Sequence, residues 1–277
     1  MVRIITDSSS LYTREEAEEN GFKAIPLCIS IGDWDGRDLE MDMDRFYAEI
    51  EAGGVPKSSQ PPIGEVLEAF DAVGSEDVIN ISMADGLSGT YDSACSAREL
   101  SQNKDKITVF NTTTLCGPHR YMVEQAQKMA VEGLSKDEIL EWLKDRAQKA
   151  GSFLIPQDFS FLRRGGRLTP VAAAFGGILK LKPILEQTED GKRLDKFAVK
   201  RTLSTAVNSI IKDLESKELG KKHIIYVTHA NVLEDAKMVV EMMKKAFPLT
   251  EVMVFKLSPA FVTQGGPGCI AIQYVQK

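Results

Sequence analysis

The chain has 277 residues, a net charge of −6 and a pI of about 5.3. That is length enough for two domains, and the acidic balance excludes a nucleic-acid binder working through bulk positive charge. With 43% hydrophobic and 27% charged residues the composition is globular, and no apolar run approaches the ~18 residues of a membrane-spanning helix.

The amino-terminal residues lack a signal-peptide pattern, so the expectation is a cytoplasmic protein. Cys28, Cys95, Cys116 and Cys269 are far apart in sequence, form no C-x-x-C, and read as reduced core thiols. Only three histidines occur, His119, His223 and His229, without an H-E-x-x-H, so no metal cofactor is expected.

Residues 2–6 form an apolar run that meets Asp7-Ser8-Ser9-Ser10, which predicts a strand entering a turn. Thr13 and Glu16 make a capping box, and Gly21 closes that helix. Residues 24–31 read as one strand, followed by a hairpin turn over 32–36. Asp42 caps a helix ended by Gly53-Gly54, and Pro61-Pro62 opens the next. A strand at 77–82, a loop at 83–90, a helix reaching Leu100 and a strand at 107–111 follow. Helices are predicted over 117–132 and, behind a capping box at Ser135 and Glu138, up to Lys149. This alternation predicts a parallel sheet wrapped by helices, with ligands beyond the carboxyl ends of its strands. The loops at Asp7, Ser58 and Ser88 are the expected rim.

Gly151 marks the expected boundary between a first domain, 1–150, and a second, 151–277. In the second, a short helix bears Phe161 and Leu162, then a basic turn runs from Arg163 to Arg167. A hairpin turns at 189–192, helices cover 202–214 and 233–246, and strands cover 222–228, 251–256 and 270–275. Hairpins among helices predict a mixed α+β domain.

Two motifs suggest chemistry. Gly86-Leu87-Ser88-Gly89-Thr90 lies between a predicted strand and helix, where free N–H groups and hydroxyls suit an anion. The same layout admits a serine esterase or acyltransferase using Ser88, although the spacing is G-x-S-G and not G-x-S-x-G. Ser58-Ser59-Gln60-Pro61-Pro62 is a second hydroxyl-rich segment, read as a turn before a helix. Arg163, Arg164 and Arg167 around Gly165-Gly166 suit phosphate or carboxylate, which admits a phosphotransfer protein as a third reading. There is no G-x-x-x-x-G-K-[ST] phosphate loop.

Taken in order, Thr6-Asp7-Ser8, Ser58-Ser59-Gln60-Pro61, Leu87-Ser88-Gly89-Thr90-Tyr91, the Phe161–Arg167 segment, Lys182-Pro183-Ile184-Leu185 with Gly191, residues 199–201, His229 and Gly266-Pro267-Gly268 resemble the DegV family of bacterial fatty-acid-binding proteins. The resemblance implies two α/β domains with a lipid tunnel and a long-chain fatty acid as ligand. It implies a non-enzyme that presents the acyl carboxyl to a separate fatty acid kinase making acyl phosphate for phospholipid synthesis. It also implies a carboxylate held by the hydroxyls of Ser58 and Ser88, to which the helix start at Gly89 and Thr90 and the amide of Gln264 add expected donors, and a surface at Arg167 and Arg201 facing the partner or its phosphate. The chain departs from the family pattern at Ser58, usually threonine; at Ala84-Asp85, usually two serines; at Asn111, usually aspartate; and at Gln264, often histidine. Glutamine still donates a hydrogen bond but takes up no proton near neutral pH. The run 172–179, rich in small residues, suits close helix packing and is also the expected part of the tunnel wall.

Overall fold

The computed structural model describes residues 1–174 and 181–277. Residues 175–179 of the expected tunnel wall lie outside the described residues. The chain divides into two compact units, one of Met1–Gln148 with Ser258–Ala260 and one of Lys149–Leu257 with Phe261–Lys277.

The first unit runs β1 (Val2–Asp7), α1 (Arg14–Glu19), β2 (Lys23–Ile25), β3 (Cys28–Ile31), β4 (Trp34–Arg37), α2 (Met43–Glu51), β5 (Lys57–Ser59) and α3 (Ile63–Asp71). It continues with β6 (Asp77–Ser82), α4 (Thr90–Leu100), β7 (Ile107–Asn111), α5 (Cys116–Val131) and α6 (Lys136–Ala147). β2, β1, β6 and β7 lie side by side in a wholly parallel sheet. Helices cover both faces, which is why Val78 to Ser82 are buried one after another and do not alternate. Ile5, Val78 and Ile107 pack under Val66, Phe70, Ala94 and Ala97 of α3 and α4. On the opposite face α5 lies against β1.

The single strand expected over 24–31 is two strands in two sheets. Pro26 has no N–H for a ladder; β2 ends before it in the parallel sheet, and β3 starts after it in an antiparallel sheet of order β4-β3-β5. The thiols also divide: Cys116 and Cys269 are buried, but Cys28 and Cys95 are partly exposed.

The second unit runs β8 (Ala150–Ile155), α7 (Phe159–Gly165), α8 (Pro170–Ala173), β9 (Lys182–Gln187), β10 (Leu194–Lys200), α9 (Leu203–Ser216) and β11 (His223–His229). α10 (Leu233–Ala246), β12 (Glu251–Lys256), α11 (Pro259–Gly265) and β13 (Ile270–Gln276) complete it. Its six-stranded sheet has the order β10-β9-β8-β13-β11-β12, and only β11 and β12 are parallel. One face carries Phe153, Ile225, Val227 and Ile272 against Val207, Ile210, Val239 and Met243 of α9 and α10. The other meets α7 and α8 through Leu154 and Leu185, which pack with Leu162, Leu168 and Ala172. Farther along that face is a polar row, where Gln273 Nε2 donates to Ser152 Oγ at 3.1 Å.

Candidate functional site

β6 delivers the chain to the loop that carries Ser88, and the loop is tied down on both sides. Met83 N–H donates to Asp7 Oδ2 at 3.1 Å, and Ala84 N–H donates to the Thr114 carbonyl at 2.9 Å. Gly89 occupies the cap position of α4 and has no side chain to cap with. Ser88 does this instead: its Oγ accepts from Thr90 N–H at 3.3 Å and stands 2.8 Å from Thr90 Oγ1. Ser88 is half-buried, Gly89 is exposed and Thr90 is buried. If the Thr90 hydroxyl donates in that pair, Ser88 Oγ receives two hydrogen bonds and its own O–H points away as a polarised donor.

Ser58 is on a strand, not in the turn expected from its sequence. It stands opposite Ile29 in the β3–β5 ladder and is half-buried. It therefore does not belong to the carboxyl rim of the parallel sheet. A tight hydroxyl-rich segment pairs with β3 because β3 needs a partner on the side away from β4. The two serine segments still approach each other within the first unit. A Cβ placed on Gly89 would stand 3.4 Å from Gln60 Oε1. An open cleft of about 570 Å³ runs between Ser59, Gln60 and Ile63 on one side and Gly89 and Ser93 on the other. A second, of about 660 Å³, extends over Ser58, Lys57, Ser30 and Arg37, and Cys28 and Ser59 border both.

Charge at this place is compensated. Arg37 donates to Cys28 Sγ at 2.8 Å and pairs with Glu65, which also receives Arg14 at 3.3 Å. Arg14 in turn pairs with Glu40 at 2.6 Å. Such part-exposed pairs orient side chains more than they stabilise the fold. Asp85 is half-buried in the turn before Ser88, and its charge is one of the influences that raise the Tyr91 hydroxyl pKa, after burial and Cys95.

Beneath the loop lies a polar cluster with no sequence motif to announce it. His119 of α5 is buried, with Nδ1 2.8 Å from Ser9 Oγ and Nε2 3.0 Å from both Thr6 Oγ1 and the Ile81 carbonyl. Burial holds its pKa below the ordinary value, against the pull of nearby Asp7. Asp7 accepts from Ser9 N–H at 2.9 Å and from Met83 N–H, so it joins the ends of β1 and β6.

The remaining expected residues belong to the second unit. Gln264 is on the last turn of α11. Arg167 donates to the Gly165 carbonyl, and burial followed by the charge of Arg193 lowers its guanidinium pKa. Its own carbonyl accepts from Leu194 N–H at 2.9 Å, at the start of β10. Arg201 is exposed and follows the other end of β10. At ~3.3 Å per strand residue, the two arginines are separated by roughly 20 Å and form no single cluster. His229, considered as a base, accepts from Val232 N–H at Nδ1 over 3.3 Å, and burial lowers its pKa. Among the described residues, no group of three or more His, Cys, Asp and Glu is arranged to hold a metal, and no helix is long and apolar enough to cross a membrane.

A parallel α/β unit with a serine-capped helix start beside a cleft, continued by a unit built on a mixed sheet, defines the class: a two-unit α/β protein. The chain belongs to the DegV family; the family described as "Uncharacterised protein, DegV family" matches residues 1–277. It is 30% identical to a DegV domain-containing protein of Clostridium acetobutylicum over 99% of this chain and 97% of that one. It is 29% identical to Protein DegV of Bacillus subtilis over 100% and 99%. Among solved structures, the fatty acid binding protein DegV from Bacillus subtilis superposes with a TM-score of 0.86 at 29% identity, covering 100% of this chain and 99% of that chain. A DegV family protein from Eubacterium eligens loaded with heptadecanoic acid superposes with a TM-score of 0.84 at 25% identity, covering 100% of both.

Proposed function

We propose that this protein binds a long-chain fatty acid in the cytoplasm and presents its carboxyl to a fatty acid kinase, which makes acyl phosphate for phospholipid synthesis. In this reading the hydroxyls of Ser58 and Ser88 hold the carboxylate, helped by the helix start at Gly89 and Thr90. Gln264 is a further donor to the same head group. Arg167 and Arg201 serve the partner and its phosphate. The protein itself catalyses no step.

The observation that carries the reading is the state of Ser88. Its oxygen is held by Thr90 at an exposed helix start, beside a cleft, in a fold shared with fatty-acid-binding relatives. An ionised carboxylate buried without partners loses several kcal/mol of hydration. Oriented hydroxyls and a helix start offset that loss with neutral groups. An acyl tail of ~15 methylenes contributes about 12 kcal/mol gross at ~0.8 kcal/mol per buried methylene. Tail burial therefore supplies most of the affinity, and the head group sets orientation.

Within the first unit the esterase reading finds no histidine ready to act as a base for Ser88. His119 is the histidine of the first unit, and both its ring nitrogens are engaged below the loop, with Ser9, Thr6 and the Ile81 carbonyl. A nucleophilic serine needs a base within hydrogen-bond reach.

Native mass spectrometry of freshly purified protein, followed by solvent extraction, tests the function directly. A stoichiometric long-chain fatty acid is expected, and a protein that carries none and takes up none rejects the reading. Arg167→Ala is expected to keep fatty acid affinity within about twofold and to slow acyl-phosphate formation with the cognate kinase at least tenfold. Equal rates remove Arg167 from the partner surface.

A further inference from the structure

α11 is the helix by which the chain passes from one unit into the other. Pro259 and Ala260 belong to the first unit, and Phe261 to Gly265 belong to the second. Its beginning is held by a residue remote in sequence. Asp38, wholly buried, accepts from Ser258 Oγ at 2.9 Å and from Ala260 N–H at 2.9 Å. It also accepts from Ser8 Oγ at 2.7 Å, and its own N–H donates to the Leu27 carbonyl at 2.9 Å. Ser8 Oγ in turn accepts from Leu27 N–H at 3.1 Å. The Asp38 carboxylate thus does for α11 what a capping side chain does. It accepts from an early helical N–H and sets a negative charge at the helix start, from a segment 222 residues away from Ala260.

The other end of the helix is set by an absent side chain. Gln264 stands on the last turn, and α11 closes at Gly266, whose N–H donates to the Val262 carbonyl at 2.8 Å with φ +77°. A Cβ built on Gly165 would overlap Gln264 Oε1. The Gly165 carbonyl meanwhile receives Arg167. The place of the Gln264 amide therefore follows from two conditions: where α11 starts, and whether position 165 is bare.

We propose that Asp38 and Gly165 are positioning residues for the Gln264 amide. Its bearing on ligand retention rests on the reading above, in which Gln264 donates to the fatty acid head group.

Gly165→Ala is the decisive variant. Alanine favours a helix more than glycine does, and the atom it displaces is the far end of a flexible side chain, so the fold is expected to survive. The side-chain NH₂ resonances of Gln264, identified by their loss in Gln264→Ala, are expected to shift in Gly165→Ala and to broaden in Asp38→Ala. Asp38→Asn, which still accepts from Ala260 N–H, is expected to keep them near the wild-type position. Release of ¹³C-labelled palmitic acid is expected to be about tenfold faster in Gly165→Ala and in Gln264→Ala, and no faster in the double variant than in either single one.

Unmoved Gln264 resonances in Gly165→Ala, or rate effects that multiply in the double variant, overturn the proposal. If Gln264→Ala releases palmitic acid at the wild-type rate while the resonances move as expected, the head-group reading of Gln264 fails and the positioning stands. Should Asp38→Ala fail to fold, the Asp38 arm is read from Asp38→Ser, which keeps a small polar group in the buried site but is too short to reach Ala260 N–H. Gln264 resonances identical to wild type there overturn the Asp38 half.

Discussion

The Ile81 carbonyl, 3.0 Å from His119 Nε2, can only accept a hydrogen bond. Nε2 therefore carries the proton, and the Ser9 hydroxyl donates to Nδ1. A second proton would set a charge in a buried site and turn the Ser9 hydroxyl from donor to acceptor, which agrees with the pKa that burial lowers. The unfolded chain binds that proton more readily, so stability from this residue is present above pH 6.5 and is lost as the pH falls below it. Asp38 acts with the opposite sign. Burial, opposed by its three hydrogen bonds, pushes its pKa up to about 6 from 3.8. The folded protein then holds the proton more tightly, and stability from Asp38 rises as the pH falls through 6 towards 4. Denaturant midpoints of wild type and Asp38→Asn across this range separate the two effects. Wild type is expected to gain on the variant by up to about 1.4 kcal/mol per pH unit on acidification. A constant difference shows that Asp38 does not titrate there. At the ligand, Ser88→Ala removes one donor to a charged group, so fatty acid release is expected to quicken about tenfold. Melting should shift by only a few degrees, the cost of one helix cap. Release at the wild-type rate in a delipidation assay excludes Ser88 from the head-group contacts.

Elements whose signals are local follow the sequence closely. The capping boxes at Thr13 and Ser135 form with both reciprocal hydrogen bonds. The helix expected over 233–246 and the strand over 251–256 have those bounds. Ser135→Ala is expected to cost about 1 kcal/mol and lower the melting temperature by a few degrees; scanning calorimetry reads this, and an unchanged transition means α6 does not depend on its cap. Gly266→Ala combines a left-handed φ of +77° with a Cβ 2.9 Å from the Phe161 ring, and is expected to cost several times more. The elements the sequence analysis did not give are β5, α8 and α11. Ser58 has the composition of a turn, and it becomes strand because β3 lies open beside it. α11 begins at Ser258-Pro259, which has the composition of a helix start, but the carboxylate that accepts from Ala260 N–H belongs to Asp38, which is 220 residues from Ser258.

For the whole molecule, the threading of Ser258–Ala260 into the first unit has a thermodynamic consequence. Trp34 and Trp142, the only tryptophans of the chain, both belong to the first unit. Their fluorescence reports that unit, and far-UV circular dichroism reports the whole chain. A segment of three residues held inside one unit, with the other unit on either side of it in sequence, ties the two through the chain and is the ground for expecting one transition. The two signals are expected to coincide in urea for wild type and to separate in Asp38→Ala, where the hold on that segment is gone. Separate transitions in wild type contradict this coupling.

The sequence by itself determined the order of most strands and helices, many of their ends, and the small polar residues at the helix start near Ser88. Each of these depends on residues a few positions apart, through periodicity, caps and turns. Family membership was also legible, because its motifs recur in order along the chain. Pro26 marks where residues 24–31 break, but tertiary structure alone decided that the two pieces join different sheets and that Ser58 is a strand residue. It also decided that Arg167 and Arg201 stand at opposite ends of β10, that His119 is a neutral buried link, and that Asp38 caps a helix from the far end of the chain. These outcomes turn on which surfaces remain open once the local pieces have formed and on which distant donors meet a buried acceptor. Neither quantity is a property of any short stretch of sequence.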